Sequence, residues 1–414
     1  MNRNFLLLLL LLINNQVFGQ KKIKDFVEKN INTIKTIEPD SLDFSDLEII
    51  GKAIGDSRIV MLGEQDHGDG PTFLAKTRLI KYLHEKKGFN VLAFESDFFA
   101  LNKGLANGKA TSTKFWTENI FNLWTKAKQC DNLFNHYLTA SYLTNNPLIM
   151  TGFDSQLHGK YSEENLKQFV DNYLQKQELP FTKTESYLSK FLPFVDSTMI
   201  SKNIKSHLEF TKQLELIINK IVVKDNSSLA FMVLKNLYAQ SNAGVFFLKK
   251  RKGFLDIRDR QMAENLRWLV QKKHPNEKII VWAHNLHILK NPEQIKALYS
   301  INKTMGDFFT DDKHLEDSTY ILGFTSKQGT AGRLANIQRH FTVEKPNSNG
   351  FENWMPEQTN FAFIDFKKYN LENPNLNEYF EMKAKSHLSH AAIWTNVFDG
   401  IFYIRDMYPT TRIE

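Results

Sequence analysis

The fold is decided by the stretch Arg58-Ile-Val-Met-Leu-Gly63, which is followed by the segments Pro71–Glu85 and Asn90–Phe94. The first and third segments are short apolar runs bounded by turn-forming or polar residues, a pattern typical of buried strands. The middle segment repeats apolar side chains at helical spacing, and Gly88 follows its end as a stop signal. A strand, a helix and a strand of these lengths predict two parallel strands joined by a right-handed crossover.

Further strands and a long helical segment extend this unit along the chain. Strand-like runs return at Leu148–Phe153, Lys278–Ala283, Thr319–Thr325, Asn360–Phe366 and Gly400–Ile404. Residues 161–250 show helical periodicity instead. We therefore expect an α/β fold with a mainly parallel sheet flanked by helices, and a helical insertion that covers the carboxyl edge of the sheet. The predicted division is a signal peptide at 1–19, a first part of the catalytic core at 20–160, the insertion at 161–250 and a second part of the core at 251–414.

The amino terminus predicts export. Arg3 precedes the apolar run Phe5–Ile13, which is much shorter than the roughly 20 apolar residues that a spanning helix needs. Small residues near Gly19 indicate a cleavage site, and a retained apolar anchor is the alternative interpretation. We expect an exported protein, periplasmic or secreted, without a stable membrane anchor after cleavage.

Composition excludes several classes of protein. Cys130 is the single cysteine, so an intramolecular disulfide and a four-cysteine metal site are excluded. The net charge of +7 is spread along the chain except at Lys249–Lys252, where a solvated surface is the expected interpretation because no nucleic-acid motif accompanies it. The serine-hydrolase elbow, the P-loop, the dinucleotide fingerprint and the zinc-protease helix motif are absent from the sequence. The expected partner is a small molecule and not a nucleic acid.

Four of the predicted strands end on an acid or a histidine. These residues are Glu64 and His67 after the first strand, Glu95 after the second, Asp154 after the third, and His284 with His287 after the fourth. In an open parallel sheet, ligands bind beyond the carboxyl ends of the strands, so one acid–base site can gather these side chains. This arrangement indicates an enzyme, and the absence of other nucleophile motifs favours a hydrolase that activates water, with or without a metal.

The residue types suggest individual roles. His67 suits a general base because its unperturbed pKa lies nearest neutrality, and a carboxylate such as Glu64 or Glu95 can hold its tautomer. Lys76 and Arg258 lie on predicted helices, where a cation can hold a substrate oxygen or a catalytic carboxylate. The competing interpretations are a solvated loop for Glu64 and His67, a helix cap for Glu95, and solvated charge for Lys76.

Taken in order, these clusters resemble the erythromycin esterase family. The motifs are Gly63-Glu64-x-x-His67-Gly68, Phe94-Glu95-Ser96, Gly152-Phe153-Asp154, Arg258-Asp-Arg260-x-Met262-Ala-Glu-Asn265 and Trp282-Ala-His284-Asn-x-His287. The resemblance continues through Met305-Gly306 and Phe398-Asp399-Gly400, and so covers nearly all of the mature chain. It implies a carboxylic ester hydrolase that opens a macrolide lactone with activated water and needs neither metal nor cofactor.

The resemblance also implies a role for each matched residue. His67 is the general base, with Glu64, Glu95 and His284 as its electrostatic and positioning partners. The supporting substrate-binding residues are Lys76, Arg258 and His287. The resistance esterases of the family resemble cytoplasmic enzymes, whereas this chain has a predicted export signal, so the substrate can differ from erythromycin.

Two alternatives to this interpretation stay open. One is a metal-dependent hydrolase in which His67, His284, His287 and a glutamate hold a zinc or manganese ion. The other is an exported, non-catalytic homologue that binds a ligand without converting it.

Overall fold

The computed structural model describes residues 21–105, 113–197, 201–296, 302–334 and 340–413. The strands are β1 Asn32–Thr33, β2 Ile59–Leu62, β3 Phe89–Asp97, β4 Ile149–Asp154, β5 Lys278–Trp282, β6 Thr319–Ala331, β7 Phe341–Thr342, β8 Phe361–Asp365, β9 Phe380–Lys385, β10 Leu388–Ala392 and β11 Gly400–Met407. The predicted signal peptide lies outside the described residues.

The helices begin with α1 at residues 21–29. They continue with α2 Glu48–Ile54, α3 Gly70–Lys87, α4 Thr113–Asn119, α5 Asn122–Thr125, α6 Leu138–Ser141, α7 Lys160–Lys176, α8 Leu192–Ser197, α9 Ile204–Ile221, α10 Leu229–Leu248, α11 Phe254–Trp268, α12 Asn285–Ile288, α13 Met305–Thr310, α14 Lys313–Asp317, α15 Phe366–Glu372 and α16 Trp394–Val397. Within the described ranges, no helix combines the length and the apolarity that a bilayer crossing requires.

The chain forms two compact units. The first consists of Met1–Lys87, His284–Leu298 and Ser318–Glu414, and the second consists of Gly88–Ala283 and Tyr299–Asp317. Each unit has its own set of parallel strands flanked by helices. The predicted α/β class is therefore confirmed, whereas the predicted domain boundaries stay a prediction.

The strands of the first unit follow the order β1-β8-β11-β6-β2, with β7 on β6. The central strands β2, β6 and β11 are parallel, while β8 and β1 are antiparallel additions at one edge. All four residues of β2 are buried, as expected for a parallel strand that is covered on both faces. Helix α3 follows β2 closely, so the segment between them lies at the carboxyl end of β2.

In the second unit, β3 is the central strand and pairs in parallel with both β4 and β5. The strand continues past a register shift between Phe94 and Asp97, so Glu95 lies on β3 itself and not after it. The sequence pattern placed the end of this strand at Phe94 because the apolar run stops there.

Helices α7 to α11 form the helical layer of the second unit. Helix α9 buries five side chains at spacings of three or four residues, namely His207, Phe210, Leu214, Ile217 and Ile221. The four apolar members pack in a cluster with residues of α7 and α10, including Leu166, Val170 and Leu234. The backbone N–H of Leu157, just after β4, donates to Gln240 Oε1 of α10 at 2.9 Å, which places α10 at the carboxyl end of β4.

Candidate functional site

A loop bounded by glycines follows β2 and contains the first predicted cluster. An added Cβ on Gly63 would lie 1.9 Å from Asn285 Oδ1, and one on Gly68 would lie 2.0 Å from the carbonyl oxygen of Gly332. Because any larger residue would collide at both positions, the two glycines determine the path of this loop. The Asn285 N–H donates to the Glu64 carbonyl at 2.8 Å and ties the loop to the start of α12.

Within this loop, the Glu64 carboxylate contacts both a histidine and a lysine. Its Oε1 lies 2.7 Å from His67 Nδ1, and its Oε2 accepts a hydrogen bond from Lys76 Nζ at 2.7 Å. The Glu64 and Lys76 side chains are fully buried, whereas the His67 side chain is 17% exposed. A carboxylate with a buried cation on one oxygen and an imidazole on the other is held in a single orientation.

The contact with Glu64 determines the tautomer of His67. A carboxylate only accepts hydrogen bonds, so Nδ1 is the protonated nitrogen and the lone pair lies on Nε2. The Asp66 carboxylate accepts a hydrogen bond from the His67 backbone N–H at 2.8 Å, and Arg333 pairs with the same carboxylate at 2.5 Å. These contacts hold the imidazole in the arrangement of a general base with an orienting carboxylate.

His284 lies next to His67, with the ring centroids 5.1 Å apart. Its Nδ1 accepts a hydrogen bond from the Leu286 N–H at 3.0 Å, so the proton is on Nε2, which donates to the Gln65 carbonyl at 2.7 Å. Both ring nitrogens thus bind backbone groups, and His284 caps α12 while it holds the loop of His67. His287 is buried one turn later, with its ring centroid 6.3 Å from that of His284.

The β9–β10 hairpin braces this loop from a distant part of the sequence. His387, in the tight turn of the hairpin, lies with Nε2 2.9 Å from Asp69 Oδ1 and Nδ1 3.1 Å from Ser326 Oγ. The Gln65 side-chain amide donates to the Lys383 carbonyl, and the Asp66 N–H donates to Asp69 Oδ2 at 3.0 Å. Burial raises the pKa of the Asp69 carboxyl, and the contact with His387 opposes this shift.

The second group of predicted residues lies in the second unit. Arg258 of α11 donates through Nε and Nη2 to the two oxygens of Asp154, at 3.0 and 2.7 Å, and Nη2 also reaches Glu95 Oε1 at 3.0 Å. Burial alone would lower the pKa of the guanidinium, but the charges of Asp154 and Glu95 outweigh it and raise this pKa. Asn265, about two turns after Arg258 on α11, donates to the Phe153 carbonyl at 2.9 Å and fixes α11 against β4.

The structure thus brings the predicted residues together in two groups. Glu64, His67, Lys76 and His284 are in contact or adjacent in the first unit, with His287 close by. The other group pairs Arg258 with Glu95 and Asp154 in the second unit. The catalytic and substrate-binding roles of all these residues stay predictions. Among the described residues, no group of three or more His, Cys, Asp or Glu side chains is arranged to hold a metal.

The contacts between the β9–β10 hairpin and the loop of His67 were not predicted from the sequence. Asp69 lies directly after the predicted cluster and could have been included with it. His387 and Lys383 had no such signal, because they lie in segments without a strand-end pattern, and Ser326 follows the predicted strand Thr319–Thr325 but is neither an acid nor a histidine. A buried histidine in a hairpin turn is recognisable only when its partners are known.

Comparison with known proteins decides the family. The family model described as erythromycin esterase matches residues 84–407, which is most of the chain. The chain belongs to the erythromycin esterase family. The matched span includes Glu95, Asp154, Arg258, His284 and His287 and begins after Glu64 and His67.

Two curated relatives match most of the chain. YbfO of Bacillus subtilis (strain 168), named as a presumed hydrolase, is 26% identical over 397 residues, 89% of this chain and 88% of that protein. Erythromycin esterase type II of Escherichia coli is 22% identical over 424 residues, 92% of this chain and 97% of that protein. These relatives and the family indicate a hydrolase.

A solved erythromycin esterase has the same fold. The crystal structure of an EreC mutant in its open conformation aligns with a TM-score of 0.64 at 16% identity, and covers 92% of this chain and 99% of that one. At this identity the likeness shows the shared fold alone.

Proposed function

We propose that this erythromycin esterase family member is a carboxylic ester hydrolase in which His67 activates a water molecule. The observation that carries the proposal is the pair of contacts made by the Glu64 carboxylate. Lys76 Nζ donates to its Oε2 and His67 Nδ1 lies against its Oε1, each at 2.7 Å. This pair of contacts orients the imidazole and leaves a basic lone pair on Nε2. Without an orienting anion, an exposed histidine would sample several rotamers and both tautomers.

The proposed reaction proceeds through two proton transfers. His67 Nε2 takes a proton from water while the water oxygen bonds to the carbonyl carbon of the ester, which gives a tetrahedral intermediate. The imidazolium is stabilised by the Glu64 carboxylate at Nδ1. It then returns the proton to the alkoxide oxygen as the carbon–oxygen bond breaks, so that the products are a carboxylic acid and an alcohol. In a lactone the two product groups stay on one molecule and the ring opens.

The other predicted residues receive supporting roles in this proposal. Lys76 orients the Glu64 carboxylate through its hydrogen bond, and His284 holds the Gln65 carbonyl and thereby the loop that positions His67. For Glu95 and Arg258 the proposal keeps the predicted roles, as a carboxylate partner and a substrate-binding cation. In the second unit these two side chains form a salt bridge of 3.0 Å.

We propose a macrolide lactone as the substrate class to test first, because the family and one curated relative are named for erythromycin esterase activity. Purified protein is incubated with a panel of macrolides, simple lactones and aryl esters in heavy-oxygen water. Mass spectrometry should show a product heavier by one labelled water in the parent and not in His67→Asn. Hydrolysis of none of these classes, or hydrolysis at the parent rate by His67→Asn, would refute the proposal.

The proposal includes export, on the strength of the apolar run that precedes Gly19. Expression of the full chain with a carboxyl-terminal tag, followed by fractionation and amino-terminal sequencing, should find a shortened protein outside the cytoplasm. An uncleaved cytoplasmic protein would contradict this part without affecting the proposed chemistry.

A further inference from the structure

The connection between α10 and α11 has an unusual composition. It lies between Leu248 and Phe254, and the exposed side chains in it and at the adjoining helix ends are those of Phe247, Lys249, Lys250, Arg251, Lys252 and Phe254. These six residues are called the basic tip below. The tip joins α10 to α11 in the second unit, and its last residue, Phe254, precedes Arg258 by four positions on α11.

The backbone of the basic tip is well determined by hydrogen bonds. The Lys249 N–H donates to the Val245 carbonyl at 3.0 Å, and the Arg251 N–H donates to the Phe246 carbonyl at 2.9 Å. Gly253 has φ of +92°, a conformation that favours glycine and turns the chain into α11. The positions of the charged residues are therefore set by the helix ends and do not depend on a long flexible loop.

Within the described part of the chain, the four cations of the basic tip have no acidic partner. Among the residues that the structure describes, none of Lys249–Lys252 forms an ion pair, whereas other surface lysines do so: Lys313, for example, lies 2.9 Å from both Glu316 and Asp317. Four neighbouring positive charges repel one another in the folded protein. A partner with dense negative charge would relieve this repulsion.

Two aromatic rings lie beside these charges. Phe247 is 64% exposed and Phe254 is 36% exposed, and their ring centroids are 5.8 Å apart. Together with Lys250, Arg251 and Lys252 they line a cavity of about 310 Å³. Exposed phenylalanine beside clustered lysine and arginine is the composition of surfaces that lie in the interface of a bilayer.

We propose that the basic tip docks reversibly on an anionic lipid bilayer. The phosphates of the lipid headgroups neutralise Lys249–Lys252, and the rings of Phe247 and Phe254 enter the boundary between headgroups and acyl chains. A single strand of nucleic acid fits less well, because such proteins use a charged groove that follows the strand over several nucleotides. The basic tip is a single turn with one small cavity.

The test is co-sedimentation of the full-chain protein with vesicles. Parent protein should bind vesicles of phosphatidylglycerol mixed with phosphatidylcholine, bind pure phosphatidylcholine at least about tenfold more weakly, and lose affinity as salt increases. The variant Lys250→Glu/Arg251→Glu should lose at least about tenfold in partition coefficient, and Phe247→Ser/Phe254→Ser about threefold or more.

Matched controls distinguish binding by the basic tip from binding through total charge or through other exposed apolar side chains. Lys212→Glu/Lys220→Glu makes the same charge change at two exposed lysines of α9, and Leu216→Ser/Val223→Ser removes apolar groups that are 49% and 88% exposed. Both controls should bind like the parent. Equal binding to neutral and anionic vesicles, a charge reversal at the tip no worse than its control, or binding to a single-stranded oligonucleotide without binding to vesicles would overturn the proposal.

Discussion

Replacement of Glu64 by glutamine removes one negative charge from the buried chain that holds His67. Lys76 Nζ and Glu64 Oε2 are 2.7 Å apart, so their gross attraction is about 6 kcal/mol at an effective dielectric constant of about 20. Loss of one partner leaves the buried ammonium uncompensated, and we expect the free energy of unfolding to fall by about 3–5 kcal/mol. The imidazolium also loses its anion, so kcat of the proposed hydrolysis should fall about 10²- to 10⁴-fold.

A second change separates the two effects. In Glu64→Gln/Lys76→Met both buried charges are absent, so urea unfolding followed by circular dichroism should recover most of the lost stability while the hydrolysis rate stays low. Lys81→Met on the same helix is the matched control, because that buried amine donates to the Pro39 carbonyl at 2.6 Å and should leave the rate unchanged. Full activity in Glu64→Gln, or recovery of rate together with stability in the double variant, would refute this reasoning.

Three further predictions follow from other contacts. His67→Asn should abolish measurable hydrolysis and change the free energy of unfolding by less than about 1.5 kcal/mol, because its side chain is partly exposed; a folded variant with the parent rate would contradict this. Arg258→Met leaves the buried carboxylates of Asp154 and Glu95 without their cation, so the free energy of unfolding in urea should fall by about 3–5 kcal/mol at pH 7; an unchanged free energy of unfolding would contradict this. Burial lowers the pKa of Lys383 to about 8, so between pH 8 and pH 10.5 the unfolded chain binds more protons than the folded protein. Across that window the free energy of unfolding of the parent should rise by up to about 3 kcal/mol relative to that of Lys383→Met. Equal pH dependence of the two proteins in chemical denaturation would disprove this.

The local pattern of apolar residues was sufficient to predict strands that are short and apolar throughout. The predicted strand Leu148–Phe153 corresponds to β4 at Ile149–Asp154, and Lys278–Ala283 corresponds to β5 at Lys278–Trp282. Buried parallel strands are continuous apolar runs, so the sequence marks them directly. The pattern failed at β9, because Lys383 is a buried polar residue that interrupts the alternation expected of a strand.

The sequence by itself determined which residue types follow which strands, and so the order of acids and histidines that indicated a hydrolase. Only the tertiary structure decided their partners. Glu64 and Lys76 are only 12 residues apart in the sequence, but Asp69 and His387 are 318 residues apart. Periodicity encodes which face of an element is buried and not which side chain lies opposite it. Hydrogen-bond partners, and with them the tautomers of His67 and His284, depend on how distant elements pack.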